Sequence, residues 1–276
     1  MRPTEMVGAT GSAMWACLTG AVTMESGPGA ERPDVKELVG RLSEGRDPGV
    51  FLDAIASLLP GPGAAGLGLE PQRPVVGPVP KVVRGFQVRL DLEGTKPPVW
   101  RRLVLPGDWS LPRVHEAIQI AMGWSDSHLH RFRTGASYNS PHFVTRFDVD
   151  DGEDGILEDD VRLDQVITGV GDRLWYEYDF GDSWDHVIKV EKVLDTPPKT
   201  ATCLTGKMAC PPEDCGGVYG YGELAAWVRS GHGEALLPEV FEDAGDAHSW
   251  LPDGWDPDVF DAHEVNQLLS AKGLFM

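Results

Sequence analysis

Positive charge is scarce in this sequence. Its 24 Lys and Arg stand against 43 Asp and Glu, a formal net charge of −19. A surplus of that size repels phosphate backbones and anionic headgroups, which disfavours non-specific binding to nucleic acid or membrane. Cysteine is scarce too. Cys203, Cys210 and Cys215 lie within thirteen residues of one another and Cys17 lies far away, which is no disulfide framework. No run of 18 apolar residues occurs, so no membrane-spanning helix is expected. Met6–Met24 is mildly apolar, but only Arg2 precedes it as a basic residue, so it makes a poor signal peptide. The expected compartment is the cytoplasm. The chain also lacks G-x-S-x-G, a G-x-x-x-x-G-K-[ST] phosphate loop, H-E-x-x-H and a glycine-rich dinucleotide turn set between a strand and a helix. Their absence removes the commonest nucleophile, phosphate and zinc-protease signatures.

What is present is enough apolar matter for a core. Hydrophobic residues make up 41% of the chain and include nine Trp. Gly and Pro together reach 55 of 276, high enough to imply that part of the chain is linker. Residues 1–33 show no periodicity and read as a disordered tail. Val35, Leu38, Val39 and Leu42 then recur at helical spacing, and Phe51, Leu52, Ile55 and Leu58 continue after Pro48, so 34–59 reads as a short helical segment. The Pro- and Gly-rich stretch 60–80 reads as a linker, and one domain is expected over 81–276.

Within that domain Val82–Leu92 alternates and predicts a strand, followed by a second at Val99–Leu105. Leu111, Val114, Ala117, Ile118 and Ala121 predict an amphipathic helix from Ser110 to Gly123. Leu129–Arg133 is a third strand candidate, Leu163–Ile167 a short helix, and Leu174–Phe180 with Trp184–Val193 a hairpin. Cys203–Gly217 reads as a loop, and Gly222–Ser230 and Ala262–Ser270 as helices. The expected class is α+β, a mixed or antiparallel sheet with a β-grasp-like strand–strand–helix–strand opening and helices packed on it and at the C terminus.

Asp148–Asp160 holds eight acids in thirteen residues. A calcium loop begun at Asp150 would place Gly152 at its third position and Val161 at its twelfth, so a solvated acidic loop is the expectation. Residues 81–133 reverse the overall charge, with nine Lys and Arg against five acids. Arg101, Arg102, Arg131 and Arg133 therefore form a candidate nucleic-acid face, unless they pair with the protein's own acids.

Five ordered motifs stand out. They are Lys96-Pro97-Pro98-Val99-Trp100-Arg101-Arg102, Gly123-Trp124-Ser125-Asp126-Ser127-His128-Leu129-His130, Tyr176-Glu177-Tyr178-Asp179-Phe180-Gly181-Asp182-Ser183-Trp184-Asp185-His186, Cys210-Pro211-Pro212-Glu213-Asp214-Cys215-Gly216-Gly217 and Trp255-Asp256-Pro257-Asp258-Val259-Phe260-Asp261. Together they resemble the plasmid pRiA4b ORF-3-like family over roughly residues 82–272. The resemblance implies a plasmid or mobile-element association and no assigned activity. Some members carry a transposon resolvase label. The chain shows neither an activated Ser among arginines nor a Tyr with several Arg and His, so the label is not carried over.

The candidate ligand-binding residues are His128, His130, Asp179, Asp182, Trp184, His186, Glu213 and Asp214. His128 and His130 fall two apart and share a face if extended, giving half a metal site or an acid–base pair, or else a core-edge His and a carboxylate partner. Asp179 precedes Gly181 and can cap the hairpin turn. Cys203, Cys210 and Cys215 with His186 form a looser zinc candidate, since zinc sites favour shorter paired spacings. No cofactor is otherwise expected. The leading reading is a binding or interaction domain for an unknown ligand or protein. The alternatives are a metal-dependent hydrolase or nuclease using His128, His130, Asp182 and His186, and nucleic-acid binding through the arginines.

Overall fold

The computed structural model describes residues 73–272. The readings for 1–33 and 34–59, and for the linker up to residue 72, lie outside the described residues. From Arg73 to Pro80 the chain forms no helix or strand, and Gly77 exchanges two hydrogen bonds with Gln165.

Strands β1 (Gly85–Leu92) and β2 (Val99–Pro106) pair antiparallel. Both alternate. Phe86, Val88, Leu90 and Leu92 turn inward from β1, and Val99, Leu103 and Leu105 from β2. Each such side chain, fully buried, contributes about 1.5–3 kcal/mol. The same parity carries Arg101 into the core and Arg102 to the opposite face. Helix α1 (Leu111–Met122) follows with Pro at its start and Gly123 as its stop. Gly123 sits at φ +86, a left-handed cap that lets its N–H reach Gln119 O and Ile120 O. Ser110 adopts the N-cap backbone without a side-chain cap bond.

β3 (His130–Arg133), the short helices α2 (Arg146–Asp150) and α3 (Leu163–Val166), β4 (Arg173–Tyr178) and β5 (Trp184–Leu194) come next. β6 (Thr202–Lys207), α4 (Gly217–Arg229), α5 (Ala244–Trp250) and α6 (Ala262–Ala271) complete the order. The six strands form one antiparallel sheet, ordered β3-β4-β5-β1-β2-β6. The class is α+β as expected. The opening strand–strand–helix–strand order is present, but β3 lands at the far edge, separated from β1 by β4 and β5.

One face of the sheet carries the core, where α1 packs on β2 and on α6, and α6 on β6. The other face is polar. Arg102 forks onto Glu191 at 2.6 and 2.9 Å, Gln87 donates to Glu191, Arg89 pairs with Asp91, and both arginines lie over Trp100. The hydrogen bonds from Arg102 hold the Glu191 carboxyl down to about 2.

Three elements depart from expectation. The segment expected to be loop from Cys203 is strand as far as Lys207, because β2 offers it a ladder and Gly206 allows Phe260 and Arg101 to pack against it. α2 runs into the start of the acidic stretch and is opened by a capping box between Thr145 and Asp148. α5 is started by Asp243, which accepts from Gly245 N and Asp246 N. The outer edge of β6 is sealed by a side chain. Asn266 of α6 accepts from Cys203 N and donates to Cys203 O, both at 2.8 Å, as a further strand would.

Candidate functional site

The stop at Gly123 sends the chain off α1 into Trp124–Leu129, which lies against the Cys210–Gly217 loop. Glu213 joins them. It accepts from Ser125 Oγ and Tyr178 OH at 2.5 Å, from Ser127 Oγ at 3.1 Å and from Ser125 N at 3.3 Å. Trp124 Nε1 donates to Pro211 O at 3.0 Å. Burial works to raise the Glu213 pKa, but the bonds from Ser125, Tyr178 and Ser127 prevail and hold it low. The Tyr178 hydroxyl is pushed up to about 12 by burial and by its bond to Glu213.

The β4–β5 turn supplies the third side. Asp179 is buried, at φ +55, with Oδ1 accepting from Gly181 N at 2.9 Å and Asp182 N at 3.3 Å. It caps its turn as the sequence predicts. Asp182 Oδ2 accepts from Gly216 N at 3.1 Å, which ties the turn to the Cys210–Gly217 loop. Gly217, at φ +67, is required here, since a Cβ would come within 2.7 Å of Asp182 O.

These ties bring His128, Asp179 and Asp214 together. Among the described residues they are the one set of three or more His, Cys, Asp or Glu whose ligand atoms all lie within 4.8 Å of one another. His128 Nε2 stands 3.2 Å from Asp214 Oδ1 and 3.7 Å from Asp179 Oδ2. That nitrogen is buried and makes no hydrogen bond of acceptable geometry. The side chains grade outward, from 10% exposed at Asp179 through 29% at His128 to 69% at Asp214, so the cluster opens on the Asp214 side. Asp214, like Asp179, holds a left-handed φ, +60.

On that side lies a cavity of about 270 Å³ between the start of α4 and the chain around Pro238–Phe241. Asp214 and Glu223 are its acidic lining residues, and Tyr219, Phe241 and Trp250 its aromatic ones. A larger depression, about 820 Å³, lies on the open sheet face, but Arg102, Gln87 and Glu191 there already satisfy one another.

Other sequence candidates sit elsewhere. Trp184 and His186 are fully buried core residues. His186 Nδ1 donates to Trp184 O at 2.8 Å, and its Nε2 has no partner. His130 stacks on His115 with ring centroids 3.6 Å apart and bonds Glu158, a buried acid from the acidic stretch. His115 in turn bonds Tyr176 OH and Asp126. No three of Cys203, Cys210, Cys215 and His186 come within 4.8 Å of one another. Cys203, Cys210 and His186 neighbour Arg101, and Cys210 also neighbours Cys215, which lies beside Asp182, Asp214 and Asp179. Burial raises all three thiols, Cys203 to about 11 and Cys215 to about 12.

The arginines face inward or pair. Arg101 is buried, donates to Ala121 O, Trp100 O, Lys207 O and Met208 O, and lies over Phe260. Arg133 is buried between Glu177 and Asp185. Arg131 lies over Phe180. The cavity wall of Tyr219, Phe241 and Trp250 was absent from the sequence candidates. Its one local signal is Tyr219 set among glycines at the start of α4.

Comparison with known proteins places the chain in a family. The family described as Plasmid pRiA4b ORF-3-like protein matches residues 84–264. Uncharacterized protein y4hQ of Sinorhizobium fredii (strain NBRC 101917 / NGR234) is 37% identical over 169 residues, 57% of this chain and 80% of its own length. The crystal structure of MM3350, a protein of unknown function from Methanosarcina mazei Go1, is similar with a TM-score of 0.53 at 30% identity, covering 67% of this chain and 97% of that one. The motifs that meet around His128 all fall inside the matched span, and the chain belongs to the plasmid pRiA4b ORF-3-like family.

Proposed function

We propose that this chain is a ligand-binding domain whose site is the junction of the Trp124–Leu129, Asp179–Ser183 and Cys210–Gly217 segments. The observation that carries this reading is the 270 Å³ cavity sharing Asp214 with a buried, unbonded His128 nitrogen. A partly apolar cleft with a few convergent polar groups is the usual form of a small-molecule site. Its size favours a small ligand with an apolar body against Tyr219, Phe241 and Trp250 and a polar head at Asp214. The free thiols Cys203, Cys210 and Cys215 support a reducing, cytoplasmic setting. The family's description supports a tie to plasmid or mobile-element genes.

Thermal-shift measurements on the full chain against small apolar acids, amines and nucleosides test the reading. At least one class should raise Tm in a concentration-dependent way, because a ligand that binds only the folded state stabilises it. Val240→Asp, at an exposed position lining the cavity, should abolish the shift. No shift with any class, or an equal shift in Val240→Asp, would reject the site. A second reading, metal-dependent hydrolysis, is favoured by the grouping of His128, Asp179 and Asp214. Steady product release from an ester or phosphodiester that vanishes in Asp214→Asn would replace simple binding with it.

A further inference from the structure

We infer that His128, Asp179 and Asp214 hold a divalent first-row transition-metal ion, bound through His128 Nε2, Asp179 Oδ2 and Asp214 Oδ1. The inference deepens the binding reading by naming what stands at the polar end of the junction. Two ligands each about 2.1 Å from a tetrahedral ion lie about 3.4 Å apart. The distances from His128 Nε2 to the two carboxylate oxygens, 3.2 and 3.7 Å, bracket that value. Hydrogen bonding does not account for the approach, since neither contact has acceptable geometry and the nitrogen is buried. The three atoms instead stand at the separations of a shared coordination shell.

The supports are in place as well. Asp179 Oδ1 is fixed by Gly181 N and Asp182 N, which leaves Oδ2 turned toward His128. Asp182 holds the Cys210–Gly217 loop through Gly216 N, and Glu213 holds the same loop to Ser125 and Ser127, the latter immediately before His128. Such outer bonds orient metal ligands and set their affinity. Two carboxylates balance the charge of a divalent ion. The imidazole selects a transition ion over calcium or magnesium, which favour all-oxygen shells. Three protein ligands leave a position open, as in sites that take water or substrate. Asp214 belongs to both the cluster and the cavity lining, so a cavity ligand with a donor head can occupy that position.

The test uses the full chain purified without a polyhistidine tag and stripped with a chelator. Equilibrium dialysis with Zn²⁺, and titration with Co²⁺ read by its visible absorption, should each give one equivalent per chain. Asp214→Asn, at an exposed position, should weaken binding at least about tenfold while leaving Tm near that of the stripped parent. His128→Ala should do the same. His248→Ala, at the separate His232–His248 contact, should bind as the parent does. Absence of stoichiometric binding, or equal binding by Asp214→Asn, overturns the metal site. The thermal-shift panel run on stripped protein separates the two ideas. Organic ligands that still respond to Val240→Asp without a bound metal leave the binding reading standing alone. A metal lost in Asp214→Asn with no organic ligand found supports the ion and removes the small-molecule reading.

Discussion

His186 has no exposed surface, and burial pushes its pKa from 6.5 to about 4. Burial and the neighbouring His130 do the same for His115, also to about 4. Both imidazoles are neutral in the folded protein at pH 7. Between pH 6.5 and 4 the unfolded chain binds protons that the folded chain refuses, so stability falls as pH drops through that window. Each contributes about 1.4 kcal/mol per pH unit at full effect. Urea midpoints measured from pH 7 to pH 4.5 should fall steadily, and His186→Leu should remove about one proton from the slope. A slope unchanged in His186→Leu would put the proton uptake elsewhere. Arg101 shares the inward parity of Val99, Leu103 and Leu105 on β2, a signal that grouping it with Arg102 on one candidate face passes over. The meeting of His128 with Asp214 was not. They stand far apart in the chain, and nothing in local spacing reports a contact between two loops.

At the scale of elements, periodicity served where the pattern was long. β1, β2, α1 and the β4–β5 hairpin fall close to where alternation and helical spacing predict them. It failed at β6, whose Thr-Cys-Leu-Thr-Gly-Lys run contains a glycine and becomes strand only because β2 pairs with it. α2 and α5 escaped for a related reason: they are short, and their caps define them more than any apolar stripe. The two loops of the junction have no periodicity at all, so the polar fastener at Glu213 sets their approach. Glu213→Ala should therefore loosen it. The Tyr178 hydroxyl loses the bond that helps hold it near 12, and a tyrosinate absorbance titration should show one tyrosine moving toward 10. No movement in that titration would mean that burial alone sets the hydroxyl.

For the whole molecule, the uneven charge resolves into structure. Arg89, Arg101, Arg102 and Arg133 of the cationic opening segment meet acids or carbonyls of the same chain. The sheet they help build is open, so it has two edges. β3 is only four residues long and is bridged at its last residue, Arg133, by His142. β6 depends on Asn266. Asn266→Ala should uncover Cys203 N and O, which suits the strand for pairing with a second copy. Sedimentation should then show stronger concentration-dependent self-association than the parent shows, and a variant that sediments as the parent does would mean that α6 shields the edge without its amide. The lock also has a place in time. Asn266 is made 63 residues after Cys203. While α4 and α5 are still leaving the ribosome, β6 has no cover, and a nascent chain stalled in that interval would be the form most in need of a chaperone.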